Sequence, residues 1–421
     1  MSPAKKSSPA KTAKSRKSSS VNAAALPISM EPDAQEALNL VMELMAIPGK
    51  SGEEGRIWET IRKKLRKTGV PDAATSMDNA HQKSPLKGEV GNLILKLPGT
   101  LKGPRRLLMA HLDTVPLCVG CQPVQEGEFV RSADPKTGLG ADDRAGAATI
   151  LTAALNIVRR KLPHPPLTFL WVVQEEVGLH GSQFVQQSKL GGPKLAFNWD
   201  GGAPEKVTVG ATGAYRLSIT LTGLASHAGV APEKGVSAIA LAGVAIARLH
   251  REGWLGLVQK DVFRGTSNIG WINGGGATNV ITDRVELKAE ARSHDSEFRK
   301  LILTNIEQAF RDAAIEVRSV TGAAGSVQVE SRLDYESFVL NSHEPCVAAV
   351  EAAIRSIGGE PTRVISNGGL DANWMSAHGI PTVTMGCGQM DVHTVNERLD
   401  IAAYQRACRI ALRLAVGRYE V

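Results

Sequence analysis

Five places in the sequence put acidic or imidazole side chains where a short apolar run ends or a long helix begins. Residues 107–110 lead into His111-Leu112-Asp113, residues 169–173 into Gln174-Glu175-Glu176, and residues 195–199 into Asp200. Residues 383–385 lead into a glycine-rich loop and then His393, while Ala141-Asp142-Asp143-Arg144 precedes a long helical stretch. In open α/β sheets ligands collect outside the carboxyl ends of strands, so these groups are expected to meet in one crevice. Two histidines with several carboxylates suit zinc or another borderline divalent ion better than calcium, which takes oxygen donors. Without cations so many acids at close quarters would repel one another, with at least one pKa pushed up; two divalent ions neutralise them. A carboxylate bridging two ions about 3.5–4 Å apart leaves a place for the activated water of a two-metal hydrolase. Each piece also has an ordinary reading: His-x-Asp as a surface hydrogen bond, Glu-Glu as a solvated helix start, Asp-Asp as a turn or N-cap. Their repetition after successive strands favours one shared site.

The elements that must hold these groups follow from hydrophobic periodicity. Residues 33–46, 53–67 and 145–161 repeat apolar positions at helical spacing. Residues 91–97, 106–110, 167–173 and 195–198 read as strands, and the alternation predicts a sheet layered by helices. From about 214 to 332 the order becomes strand, helix, two strands, helix, strand, the βαββαβ split unit of ferredoxin-like domains. A helix near 344–357, a helical turn after Asp371, a strand at 381–385 and a helix at 401–416 resume the first pattern. The chain is therefore expected to form an α/β domain from residues 31–212 and 333–421, interrupted by a smaller α+β domain at 213–332.

Composition narrows the rest. With 421 residues, 43% apolar and 22% charged, the chain reads as soluble and globular, with material for two domains. It has no run of about 18 apolar residues, which excludes a helical membrane span. Met1 is not followed by an apolar segment of the signal-peptide kind, so a cytoplasmic location is expected. The net charge of +7 belongs mostly to residues 1–30, which carry Lys5, Lys6, Lys11, Lys14, Arg16 and Lys17 and no acid. This Lys/Ser/Pro/Ala tract is expected to be a disordered, solvated tail, with nucleic-acid binding as the less favoured reading. Five cysteines, an odd number, suit a reducing compartment. Cys118-Val119-Gly120-Cys121 lacks the second pair of a structural zinc site, and its proline flanks read as loop rather than the helix start of a redox centre. Gly49-Lys50-Ser51 imitates the end of a Walker A loop, but Leu44 stands where the first glycine belongs. Gly274-Gly275-Gly276 has neither the spacing nor the helix start of a phosphate loop.

Six segments, HLDTVP at 111–116, GADDRAG at 140–146, QEEVG at 174–178, NWDGG at 198–202, SHAGVAPEKGVSAI at 226–239 and GCGQMDVHTVNE at 386–397, together resemble the M20 family of metallopeptidases, near its peptidase T branch. The resemblance runs from about residue 33 to the C-terminus. It implies a zinc-exopeptidase-like three-layer catalytic domain with an inserted ferredoxin-like lid and dimerisation domain, and hydrolysis of a peptide bond in short peptides. It further implies two zinc ions per subunit, with cobalt or manganese as substitutes. His111 and Asp200 would hold one ion, Glu176 and His393 the other, and Asp142 both. Glu175 would be the general base, and Asp113 would accept the second imidazole N–H of His111. The Asp142–Asp143 peptide would be cis. On the lid, His227 would reach into a partner subunit's site and steady the oxyanion, Asn279 would contact substrate and Arg292 would clamp a substrate carboxylate. Gly368-Gly369-Leu370-Asp371 departs from the Gly-Gly-Thr-Asp of the tripeptidase, and Gly369 would lie at the substrate.

An M20 carboxypeptidase or an N-acyl amino acid amidohydrolase shares the same implied metal chemistry. From other classes, a noncatalytic nucleic-acid-associated protein would use the basic tail, and a redox protein would use Cys118 and Cys121.

Overall fold

A computed structural model describes residues 1–2, 30–417 and 419. From residue 3 to residue 29, the basic tail lies outside the described residues. Local signals set the first helix, Ala34–Met45: Asp33 caps it by accepting the Glu36 N–H at 2.7 Å, and Leu38, Val41, Leu44 and Met45 fall on its buried side. The helix Ala141–Arg160 is lined with alanines (Ala145, Ala147, Ala148, Ala153, Ala154), all buried, which lets it lie close against the sheet. Arg159 and Arg160 occupy its last turn, where cations favour the dipole, and Lys161 ends it in the left-handed region at φ 49°.

Among the described residues the main sheet has nine strands. Its centre is parallel: Arg106–His111 lies between Leu167–Val172 and Leu195–Trp199, and Thr382–Met385 continues beyond the latter. Strands covered on both faces need no polar alternation, and all six residues of Leu167–Val172 are buried. One face packs on the helices Ala34–Met45, Ala141–Arg160 and Ile401–Val416. The other meets Val185, Leu190 and Met375 through Ile94, Leu107, Met109 and Leu170. Burying each such side chain contributes about 1.5–3 kcal/mol, which fixes the register. His111 therefore pairs with Val172, and Trp199 with Met385, so four chain segments leave the sheet at one edge. The expected layered α/β catalytic fold is present.

The second sheet spans residues 213–335 and is antiparallel throughout, in the order Gly256–Lys260, Phe263–Gly274, Arg284–Ser293, Gly213–Thr222, Ser326–Tyr335. Helices Ala238–Arg251 and Ser296–Glu316 bury one face, through Leu217, Ile219, Leu221, Leu287 and Ala289. Two expectations are corrected here. The edge strand Gly256–Lys260 adds a fifth member to the four-stranded unit, unread because only Val258 of its five residues is buried. The last strand ends at Tyr335, past residue 332. A third sheet, made of strands of two to four residues (Pro123–Glu126, Phe129–Ser132, Gln389–Met390, Arg398–Asp400), brackets the loop that carries His393. No helix among the described residues is long and apolar enough to cross a membrane.

Candidate metal centre

The groups at the sheet edge converge. His111, the last residue of its strand, places Nε2 3.2 Å from Asp142 Oδ1 and 4.0 Å from Glu175 Oε2. His393 places Nε2 3.3 Å from Asp142 Oδ2 and 3.0 Å from Glu176. Asp142 thus stands between two imidazoles, one oxygen toward each. Ligand atoms of His111, Asp142 and Glu176 lie within 4.8 Å of one another, as do those of His111, Glu175 and Asp200, and those of Asp142, Asp143 and Asp200. Two donors each about 2.0–2.1 Å from a tetrahedral ion sit about 3.3 Å apart, so the imidazole–carboxylate spacings on either side of Asp142 fit a divalent cation on each side.

The electrostatics agree with that fit. Burial raises Asp200 to about 8, with the Asp142 charge adding to the rise, and raises Glu175 well above the carboxylate range, with Asp200, Asp371 and Glu176 contributing. Hydrogen bonds to Asp142 and Glu176 raise His393 to about 10, and the surrounding acids hold His111 well above its usual value despite burial. The metal-free centre therefore keeps protons that a cation would displace. For both His393 and Asp200 the folded pKa lies above the unfolded value. Their protonation stabilises the metal-free fold at low pH, and this is lost as pH rises, from about 4 to 8 for Asp200 and from about 6.5 to 10 for His393. Metal uptake near pH 7 is accordingly expected to release protons and to tighten as pH rises through this window. Calorimetric zinc titrations in buffers of different ionisation enthalpy check this; equal heats in all of them would contradict it.

Backbone bonds between distant segments hold the ligands in place. The Asp113 carboxylate accepts the N–H of Glu175 at 2.9 Å and of Glu176 at 3.1 Å, and the Ser51 hydroxyl at 2.6 Å. His111 Nδ1 faces Asp113 at both its backbone carbonyl, 3.1 Å away, and its carboxylate, 3.4 Å away. Asp113 therefore both holds the Glu175-Glu176 loop and fixes the His111 tautomer. Asp143, joined to Asp142 by a cis peptide, is buried and accepts the N–H groups of His111 and Gly146 and the side-chain amide of Gln389, the last at 2.7 Å. The Gln389 side-chain Oε1 accepts the Gly201 N–H at 2.9 Å, linking the Asp143 and Asp200 loops. Glu54, fully buried and raised to about 8 by burial, accepts the N–H of Gly52 and of Gln174. Gln174 and His393 both have left-handed φ, 56° and 62°, which side chains disfavour and which here aim ligand-bearing turns at the cleft. Sequence reasoning missed Ser51, Glu54 and Gln389 as supports for this site.

The remaining expected residues, His227, Asn279, Arg292 and Gly369, do not line the cavity beside Glu176. A cavity of about 880 Å³ is bounded by Glu176 and Val177 on one side and by Arg216, Trp271, Lys288 and Arg332 of the second sheet on the other. Arg292 faces a second cavity of about 490 Å³ and holds Glu290 in a two-pronged bond, both contacts 3.0 Å. His227 is exposed, and its Nδ1 accepts the N–H groups of Gly229 and Val230, each at 3.1 Å, so it caps its own turn. The Asn279 carbonyl accepts the N–H of Ala228, which sets Asn279 beside His227. No hydrogen bond among the described residues joins either to the ligand cluster. Gly369 packs against Tyr335 so closely that any Cβ would collide with the ring, and it precedes the buried Asp371, whose carboxyl burial raises to about 6. Cys118 and Cys121 are both buried and free, and burial pushes Cys121 up to about 12, which leaves no nucleophilic thiolate for redox work.

Residues 107–416 match the sequence profile of peptidase family M20/M25/M40. The chain belongs to that family. An uncharacterized protein, YqjE of Bacillus subtilis, is 32% identical over 363 residues, 86% of this chain and 92% of that one. The crystal structure of a tripeptidase from Staphylococcus aureus superposes with a TM-score of 0.82 at 31% identity, covering 92% of this chain and 98% of that one. The crystal structure of aminopeptidase PepT from Bacillus cereus gives 0.78 at 31% identity, covering 93% and 100%. Within M20 this chain is a peptidase T-like peptide hydrolase.

Proposed function

We propose that the chain is a cytoplasmic zinc exopeptidase that releases the N-terminal residue of a tripeptide or similar short peptide. The observation that carries this reading is the Asp142 carboxylate, with one oxygen 3.2 Å from the His111 imidazole and the other 3.3 Å from that of His393. His111 and Asp200 would hold one cation, Glu176 and His393 the other, and Asp142 both. Such a pair supplies Lewis-acid polarisation of the scissile carbonyl and a water acidic enough to ionise near neutral pH. Glu175 takes the proton of the attacking water and passes it to the leaving amine, a role open to its carboxylate once bound cations offset the acidic neighbours that raise it in their absence. Asp113 keeps Glu175 and Glu176 in register through their backbone N–H groups. The cleft between Glu176 and the second sheet receives the peptide.

The second domain acts as lid and dimerisation module in this reading. Arg292 exchanges its bond to Glu290 for a substrate carboxylate, Asn279 and Gly369 line the bound peptide, and His227 of the partner subunit steadies the developing oxyanion. The likeness to the staphylococcal tripeptidase and to PepT supports this choice of substrate. Incubating the zinc-loaded protein with free, N-acetylated and C-amidated tripeptides and weighing the products tests it. Free peptides should lose their N-terminal residue, C-amidated ones should do so more slowly for want of the carboxylate that Arg292 clamps, and N-acetylated ones should survive. Release of the C-terminal residue would make it a carboxypeptidase, and cleavage confined to N-acyl amino acids an amidohydrolase.

A further inference from the structure

Four residues past His393, Glu397 is 2% exposed and lies between the His393 loop and the strand Arg398–Asp400. Its Oε1 accepts the N–H of Asp142 at 3.0 Å, and its Oε2 accepts the N–H of Gly140 at 2.7 Å. The buried Cys118 thiol makes a third, weaker contact with Oε2 at 3.5 Å. An ionised carboxylate is acceptor-only, so both oxygens can meet N–H groups at once. One short segment thus carries two devices. His393 approaches Asp142 Oδ2 from the cleft, and Glu397 holds the Asp142 backbone from beneath.

We propose that Glu397 is a positioning residue for the metal centre: by tying the Asp142 main chain to the His393 loop it fixes the bridging carboxylate relative to the second imidazole, and so sets affinity for the cation pair. This rests on the two-metal reading above. Removing the carboxylate leaves the N–H groups of Asp142 and Gly140 buried without an acceptor, and the turn relaxes to find others. A Glu397→Gln change keeps the shape but turns one acceptor into an NH2 group facing an N–H donor. Supports of this kind are worth about 10–100-fold in metal affinity.

The test is a zinc-loading curve, measured as bound zinc after dialysis against graded zinc buffers, for the parent chain, Glu397→Gln and Glu397→Ala. Circular dichroism and melting of the metal-free proteins run alongside. The expected result is a rise of about 10–100-fold in the zinc concentration at half-loading for Glu397→Gln, with an unchanged metal-free spectrum and peptide turnover returning to within a few-fold of the parent at excess zinc. If Glu397→Ala fails to fold, Glu397→Gln decides alone. Loading curves that coincide with the parent's, even with a lowered melting temperature, overturn the proposal and leave Glu397 a structural residue. A parent that takes up two zinc ions and cleaves no peptide overturns the functional reading but leaves the loading comparison intact. A parent that takes up none overturns both.

Discussion

Glu175→Ala should keep its metal and lose about 10²–10⁴-fold in kcat, the usual contribution of a positioned proton carrier. Glu175 has 11% of its side chain exposed, and its Oε2 is 4.0 Å from His111 Nε2, whereas His393 approaches Asp142 and Glu176. It thus stands beside the first imidazole while lying outside the ligand set proposed above. Its backbone N–H is held by Asp113, so truncating the side chain leaves the loop in place. The metal-free carboxyl is raised well above its usual range by burial and by its acidic neighbours; bound cations oppose that effect and leave it able to accept a proton. Metal analysis and steady-state kinetics on one preparation check the prediction. Turnover within a few-fold of the parent would remove the base role, and loss of zinc would make Glu175 a ligand.

Asp142→Ala should abolish binding at both positions together. A ligand that serves one ion leaves the other in place when removed; a bridge does not. Both oxygens of Asp142 face imidazoles, and hydrogen bonds from His111 and His393 hold its carboxyl far below the usual range despite burial. Removing it also strips compensation from two imidazoles whose protonation the site now favours. Zinc content should fall toward zero rather than by half. Activity should fall about 10³-fold or more, because Lewis-acid polarisation is worth several kcal/mol and each ~1.4 kcal/mol is tenfold in rate. His393→Ala is the useful contrast, since His111, Asp142 and Asp200 remain and one ion should persist. Retention of about half the zinc by Asp142→Ala would mean that this carboxylate serves a single ion.

The convergence of these side chains was legible because His111, Glu175, Glu176, Asp200 and His393 come at or after the ends of strands whose apolar runs are plain in the sequence, and parallel strands in register must deliver their ends to one edge; Asp142 instead opens a helix. His111 pairs with Val172 and Trp199 with Met385 because the buried faces permit no slip. The supports were not legible. Ser51, Glu54 and Gln389 are single polar residues whose partners, Asp113, Gln174 and Asp143, lie 62, 120 and 246 positions away, and no local pattern marks such a pairing. Asp113 was singled out beside His111, but the bonds its carboxylate accepts from the N–H groups of Glu175 and Glu176, 62 and 63 positions away, were not. The strand Gly256–Lys260 and the two- to four-residue strands around His393 escaped because elements so short or so exposed carry no periodicity to read.

Zinc-soaked crystals measured on either side of the zinc absorption edge would show the cations themselves. The account predicts two anomalous peaks about 3.5–4 Å apart on opposite sides of the Asp142 carboxylate, one beside His111 and one beside His393. A single peak, or zinc bound only away from Asp142, would contradict it.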